Sequence, residues 1–413
     1  MRIVVNDHLG HAPQVQLSRA LASRGHDVLH LYSSDAQSPK ADLRRRPEDP
    51  PNLAVEGLSL GARPSASFFG QRFQEARFSR IVARRVLEFR PDIAIACNNP
   101  LDVQRGVQTA CQRAGIPFVS WLQDFQSVLL DQSIEGRSAL LNIAAGSYYH
   151  ALEQRLLQRS DAVIPIADDL LAILAESWNV YDRQCMVVRN WAPLDSVMPS
   201  SKDNAWSRTQ GFAERRVALY VGTLGPMENP MALVGLAERL RSESDALVVV
   251  VAEGEGAGLV AREAQSRALD NLRVLPFQPY EIYSDILASA DVLLGLVDAK
   301  AGVLFVPSKV TSYLCAGRPV VLSAPWQNLA AQSIRDSGGG RVVAPDDHAA
   351  FGDATLAYLN DASLRRETGA LARAYAERTY DISSIADRFE RLCERLTAGP
   401  RRRREPQLSA AAQ

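Results

Sequence analysis

The chain opens on MRIVVNDHLGHAPQVQLSRALASRGHDVLHLY (residues 1–32), and the reading of this stretch decides the fold. Met1 to Val5 is an apolar, β-branched run of strand length. The turn His8-Leu9-Gly10-His11 follows, and then Val15, Leu17, Ala20 and Leu21 fall on one face of a helix. Gly25 ends that helix, and Val28 to Tyr32 reads as a second strand.

Outward from this unit the same alternation recurs. Strands are expected at Asp92–Ala96, Phe118–Leu122 and Ala162–Pro165, with helices over Gly70–Phe89, Asp102–Ala114 and Leu140–Arg159. A second series of strands reads at Val217–Val221, Ala246–Val251, Val274–Pro276, Val292–Leu296 and Val320–Leu322. Short β-branched runs separated by amphipathic helices predict parallel sheets covered on both faces. The fold class is therefore α/β, with two doubly wound, Rossmann-like domains facing across a cleft.

The expected boundaries are an N-terminal domain over 1–191, a linker over 192–214, a C-terminal domain over 215–380 and a closing helix over 381–398. The linker is rich in Pro, Ser, Asp and Asn without sustained period. Ile385, Phe389, Leu392 and Leu396 give the closing helix its apolar face, and it is expected to return to the N-terminal domain. The basic, then small and polar tail 399–413 is expected to be disordered.

A length of 413 residues exceeds what one core normally serves. With 46% hydrophobic and 23% charged residues the chain is globular, and a formal charge of -1 excludes a protein that coats nucleic acid. No apolar run of about 18 residues predicts a membrane span. MRIVVND carries no basic segment leading into an apolar stretch, so no secretory signal is expected. Five scattered cysteines and six histidines lack metal-ligand spacing. These features predict a cytoplasmic location, reduced thiols, and neither metal nor resident cofactor.

Chemistry concentrates in Val306-Pro307-Ser308-Lys309-Val310-Thr311-Ser312-Tyr313-Leu314-Cys315-Ala316-Gly317-Arg318-Pro319. Pro307 and Ser308 suit a helix entry, with Ser308 as cap, and Gly317 with Pro319 suits an exit. The first-turn amides and Lys309 together offer a seat for an anion; the alternative is a solvated helix start with an incidental lysine.

This segment resembles the PSK…AAGRPV region of retaining glycosyltransferases of family 4, in the bacterial branch of colanic-acid and O-antigen fucosamine-type transferases. Four further stretches resemble that branch in order: Gly10-His11 with Gln14-Val15-Gln16-Leu17-Ser18; Trp121-Leu122-Gln123-Asp124; Asn190-Trp191-Ala192-Pro193-Leu194; and Tyr220-Val221-Gly222-Thr223-Leu224-Gly225 with Asn229-Pro230. The resemblance implies the GT-B fold and metal-independent transfer with retention. It also implies a nucleoside-diphosphate sugar as co-substrate, a UDP-sugar being favoured, held mainly by the C-terminal domain.

The wider family places an Arg and a Lys in the turn after the first C-domain strand, where this chain aligns Thr223 and Glu228, with Met227 just before. It also carries two glutamates eight positions apart, which align with Leu304 and Ser312. Donor-binding residues implied here are Gly10, His11, Gly222, Thr223, Leu224, Pro307, Ser308, Lys309 and Ser312, with Lys309, the Ser308 helix amides, the Gly222–Gly225 turn and the Gly10 loop as the diphosphate partners. Glu253 lies in a turn beneath the nucleotide, and Phe277-Gln278 lies where related enzymes hold the base. Asp124 is the catalytic candidate beside Lys309: it orients an acceptor hydroxyl, stabilises positive charge on the sugar ring, or simply caps the next turn. Asp7 and His11 are candidates for loop contacts or for turn formation.

Phe78, Val82, Val86 and Phe89 form one stripe on the 70–90 helix, among Arg72, Arg77, Arg80, Arg84 and Arg85, with Phe68-Phe69 before it. This reads either as a core face with snorkelling arginines or as a peripheral contact with an anionic inner membrane face beside a lipid-linked acceptor. Leu140–Tyr149 is a second apolar candidate. The expected function is sugar transfer to a glycan or lipid-diphosphate-linked acceptor in bacterial surface polysaccharide synthesis. Alternatives are a GT-B binding partner without turnover and a sugar-nucleotide epimerase on the same fold.

Overall fold

The computed structural model describes residues 1–36, 41–61, 68–128, 139–225, 227–301 and 308–398. The chain divides into two compact units, residues 1–189 with the segment from Ile382 on, and residues 190–381.

The first unit holds β1 (Arg2–Asp7), β2 (Asp27–Ser33), β3 (Leu53–Leu58), β4 (Ile93–Cys97), β5 (Phe118–Leu122) and β6 (Ala162–Pro165). Their order is β3-β2-β1-β4-β5-β6, and every neighbouring pair is parallel. Strands β4 and β5 are buried at each position, which is why they read as unbroken apolar runs. Sequence periodicity missed β3: it is a half-exposed edge strand interrupted by Glu56 and Gly57.

The helices are α1 (Ala12–Ser23), α2 (Phe68–Phe89), α3 (Leu101–Arg113), α4 (Ala139–Arg159) and α5 (Asp169–Trp178). On α2, Phe78, Val82 and Val86 are buried in one cluster with Val103, Val107 and Cys111 of α3. Arg85 is held by both oxygens of Glu56 at 2.6 Å, Arg72 by Asp102 at 3.2 Å and Arg84 by Glu88 at 3.6 Å. The stripe is thus a core face, and these arginines engage the protein's own carboxylates. Side chains of Phe68, Phe69 and 140–144 lie outside the described residues. Among those described, no helix is long and apolar enough to cross a membrane.

The second unit holds β7 (Arg216–Val221), β8 (Ala246–Val251), β9 (Leu272–Leu275), β10 (Val292–Leu296), β11 (Val320–Ser323) and β12 (Gly340–Val343). The order β12-β11-β10-β7-β8-β9, read from the β9 edge, repeats that of the first unit, and all pairs are parallel. Its helices are α6 (Ala205–Gln210), α7 (Met231–Arg239), α8 (Glu255–Ser266), α9 (Tyr283–Ala288), α10 (Lys309–Cys315), α11 (Leu329–Ser337), α12 (His348–Asn360) and α13 (Ala362–Thr379).

Residues 192–214, expected as a linker, fold with this unit instead. Asn204 caps α6 in a reciprocal box with Ser207. Arg318 donates to the carbonyls of Ser200 (2.9 Å) and Ala288 (2.7 Å), and Arg373 to those of Val197 (2.9 Å) and Cys315 (2.8 Å). An aperiodic segment is ordered here by bonds from distant arginines, which no local pattern announces.

The last helix, α14 (Ile382–Thr397), belongs to the first unit. It buries Ile385, Ala386, Phe389, Leu392 and Cys393. The Phe389 ring lies 5.0 Å from that of Trp121, and Glu390 receives Arg24 at 2.8 Å and His26 at 2.7 Å. The tail 399–413 lies outside the described residues.

Candidate functional site

In a doubly wound sheet the loops at the carboxyl ends diverge where the strand order reverses, leaving a crevice. In the first unit that point lies between β1 and β4, and a cavity of about 650 Å³ opens there. His8 after β1, Asn98 after β4, and Gln123 and Asp124 after β5 line it, with Arg72 and Glu75 from α2 and Tyr149 and Glu153 from α4. Its size suits a sugar-sized ligand.

Asp124 is the distinctive group. Among the described residues, no hydrogen bond or ion pair reaches its carboxylate. Burial, and then the nearby charge of Glu153, raise its pKa to about 6. It does not cap the following turn, because Glu153 does: its two oxygens accept the N–H groups of Gln126 and Ser127, each at 2.9 Å. Arg72 is bound to Asp102 and lies over the Tyr148 ring at 4.3 Å. Burial raises Glu75 as well. The cavity is therefore lined by carboxyl, amide and aromatic groups, and its arginine already has a carboxylate partner.

Sequence reading located Asp124 but missed Arg72, Glu75, Tyr149 and Glu153. The available signal was spacing: Tyr149, Glu153, Leu156 and Leu157 share one face of α4, and a glutamate on such an apolar face requires a polar partner. Gly10 and His11 do not line the cavity. The buried Asp7 takes the N–H of His11 at 2.6 Å and the Asn98 amide at 2.9 Å, while Gly10 turns the chain at φ +75°. The Asp7 side chain is thus a turn former.

In the second unit the reversal lies between β7 and β10. The turn after β7 contains Gly222, Thr223, Leu224 and Gly225, and it packs on the turn after β8. The Leu224 N–H donates to the Glu253 carbonyl at 2.9 Å, and the Gly256 N–H to the Leu224 carbonyl at 3.1 Å. Gly222 has φ +140°, and a Cβ there would meet Lys309 Cε at 2.9 Å; the lysine stem lies across this glycine.

Lys309 ends inside the protein. Its Nζ donates to the Tyr220 hydroxyl, to Glu228 Oε1 at 2.8 Å and to the Thr223 carbonyl at 3.3 Å. Burial lowers its pKa, and Glu228 counteracts that fall. The turn after β7 thus leads into the carboxylate that pairs Lys309.

Ser308 stands at the N-cap of α10 in helical backbone, φ -59° and ψ -22°, and its side chain makes no cap bond. Capping requires an extended residue, so the cap expected there is absent. Ser312 lies on α10 beside Tyr283. Phe277 and Gln278 follow β9, and the Gln278 amide donates to the Pro276 carbonyl at 2.9 Å. The structure brings Gly222, Thr223, Leu224, Glu253 and Lys309 together. Pro307 and Leu304 lie outside the described residues.

Two family descriptions match the chain: the glycosyl transferase 4-like domain over residues 13–191 and glycosyl transferases group 1 over residues 203–375. WcaI of Escherichia coli (strain K12), a glycosyl transferase named for colanic acid biosynthesis, is 24% identical over 321 residues, 77% of this chain and 77% of WcaI. Sucrose-phosphate synthase from Thermosynechococcus elongatus shares the fold at TM-score 0.73 and 16% identity, over 96% of this chain and 99% of that one. HepE of Anabaena, solved in complex with UDP, does so at TM-score 0.68 and 16% identity, over 96% of this chain and 100% of that one. With a domain of each kind and the same doubly wound order in both sheets, the chain belongs to the family 4 glycosyltransferases of GT-B fold.

Proposed function

We propose that this glycosyltransferase moves a sugar from a nucleoside diphosphate, UDP favoured, to a hydroxyl of a glycan or lipid-linked glycan. The reading includes retention of anomeric configuration and transfer without a metal, in the synthesis of a surface polysaccharide. The carrying observation is Asp124, a carboxylate without a hydrogen-bond or ion-pair partner among the described residues, in a sugar-sized cavity at the switch point of the first sheet. HepE, solved with UDP-glucose, and WcaI, named for colanic acid synthesis, support the donor class and the polysaccharide setting.

In the reaction, the acceptor oxygen bonds to the anomeric carbon as the bond to the diphosphate breaks. The acceptor proton passes to a departing phosphate oxygen. Positive charge grows on the sugar ring and negative charge on the diphosphate. Ionised above pH of about 6, Asp124 is suited to accept the acceptor hydroxyl's hydrogen bond and to stabilise the ring charge. The Gly222–Gly225 turn and Lys309 are the diphosphate-side groups.

A thermal-shift screen with UDP-, GDP-, dTDP- and CDP-sugars tests the donor, and NMR of the product's anomeric proton tests retention. The reading fails if no sugar nucleotide stabilises the protein. A second reading, a nucleotide-binding partner without turnover, is favoured by the Lys309–Glu228 pair, which leaves Lys309 already neutralised. Donor hydrolysis or transfer above background excludes it.

A further inference from the structure

An ammonium has three N–H donors, and those of Lys309 face three acceptors: Tyr220 Oη, Glu228 Oε1 and the Thr223 carbonyl. The other Glu228 oxygen accepts the Gly225 N–H at 2.8 Å. Both side chains are nearly closed off, at 10% exposure for Lys309 and 6% for Glu228. One carboxylate therefore engages the turn's Gly225 amide and the adjacent lysine together, the two donors that an arriving phosphate would use at this turn.

We propose that Glu228 is an internal ligand of the diphosphate seat and sets how strongly this chain distinguishes a nucleoside diphosphate from its nucleoside. The inference rests on the donor reading above. A phosphate at this turn must displace the carboxylate from Lys309 and from the Gly225 amide, or bind beside its negative charge. Either route weakens the diphosphate's contribution to affinity and leaves the nucleoside's untouched. No covalent step is involved. Thr223, at the family's arginine position, adds no cation to offset this.

The experiment measures dissociation constants of UDP and uridine by calorimetry for wild type and Glu228→Gln. Glutamine keeps an oxygen that can accept from Lys309 or the Gly225 amide but removes the negative charge. UDP binding is expected to tighten about tenfold, as a charge-assisted contact passes from Glu228 to phosphate, while uridine binding stays the same. Lys309→Met should erase most of the gain. Should Glu228→Gln fold poorly with Lys309 left unpaired, Lys309→Met is compared with Lys309→Met/Glu228→Gln, in which the freed Gly225 amide still tightens UDP. A stable Glu228→Gln protein that binds UDP no better than wild type overturns the inference and leaves the donor reading intact. Failure of both proteins to bind UDP, with no other nucleoside diphosphate binding either, overturns both.

Discussion

The two switch-point regions handle a buried charge in opposite ways. In the first unit, Asp124 faces the cavity with no partner among the described residues, and burial pushes its pKa up to about 6. In the second, Lys309 is saturated by Tyr220, Thr223 and Glu228. An unpartnered group is poised for a ligand at the expense of stability, whereas a saturated pair is stable only while both members remain. The same kind of substitution should therefore shift stability in opposite directions at the two places.

The largest expected effect separates them through catalysis. Asp124→Asn should lower turnover by about a thousandfold, within the span of positioned acid–base and electrostatic groups. In wild type, activity should rise through pH of about 6 as Asp124 ionises, and the pH–rate profile of the variant should lose that limb. A variant with near-wild turnover would leave Asp124 without a role in the reaction.

Lys309→Met should destabilise the protein by about 3 kcal/mol, because Glu228 is then buried and unpaired. Urea unfolding reads the loss. Adding Glu228→Gln should recover most of it, and a double variant as unstable as the single would break the description of these two residues as one unit.

Asp124→Asn should move stability the other way. Its folded-state pKa lies above the ordinary 3.8, so its contribution is complete below pH 3.8 and is lost as pH rises through about 6. The variant should accordingly exceed wild type by about 2 kcal/mol at pH 8 and match it near pH 3.5. Paired unfolding curves at those two values decide the sign. The smallest effect belongs to Gly222→Ala, at φ +140° and against Lys309 Cε, with a loss of about 1–2 kcal/mol.

The core strands of both sheets could be read in advance because β4, β5, β8 and β10 are buried along their whole length. Of the four edges, β6 and β9 could also be read, but β3 and β12 could not: β3 is half-exposed, and β12 offers only Gly-Arg-Val-Val. The turns at Gly222 and Glu253, and Asp124 at its strand end, were legible through the stretches that resemble the family. Arg72, Glu75, Tyr149 and Glu153 were not, because α2 and α4 bring them to the cavity from distant positions.

By itself, the sequence determined the two α/β series and the positions of their turns, since burial on both faces imposes apolar runs and reversal requires glycine. It also determined the family, through five short stretches in order. Only the tertiary structure decided which charges meet. Lys309 and Glu228 are 81 residues apart, and an ion pair depends on distance and desolvation in space, neither of which is written in local pattern.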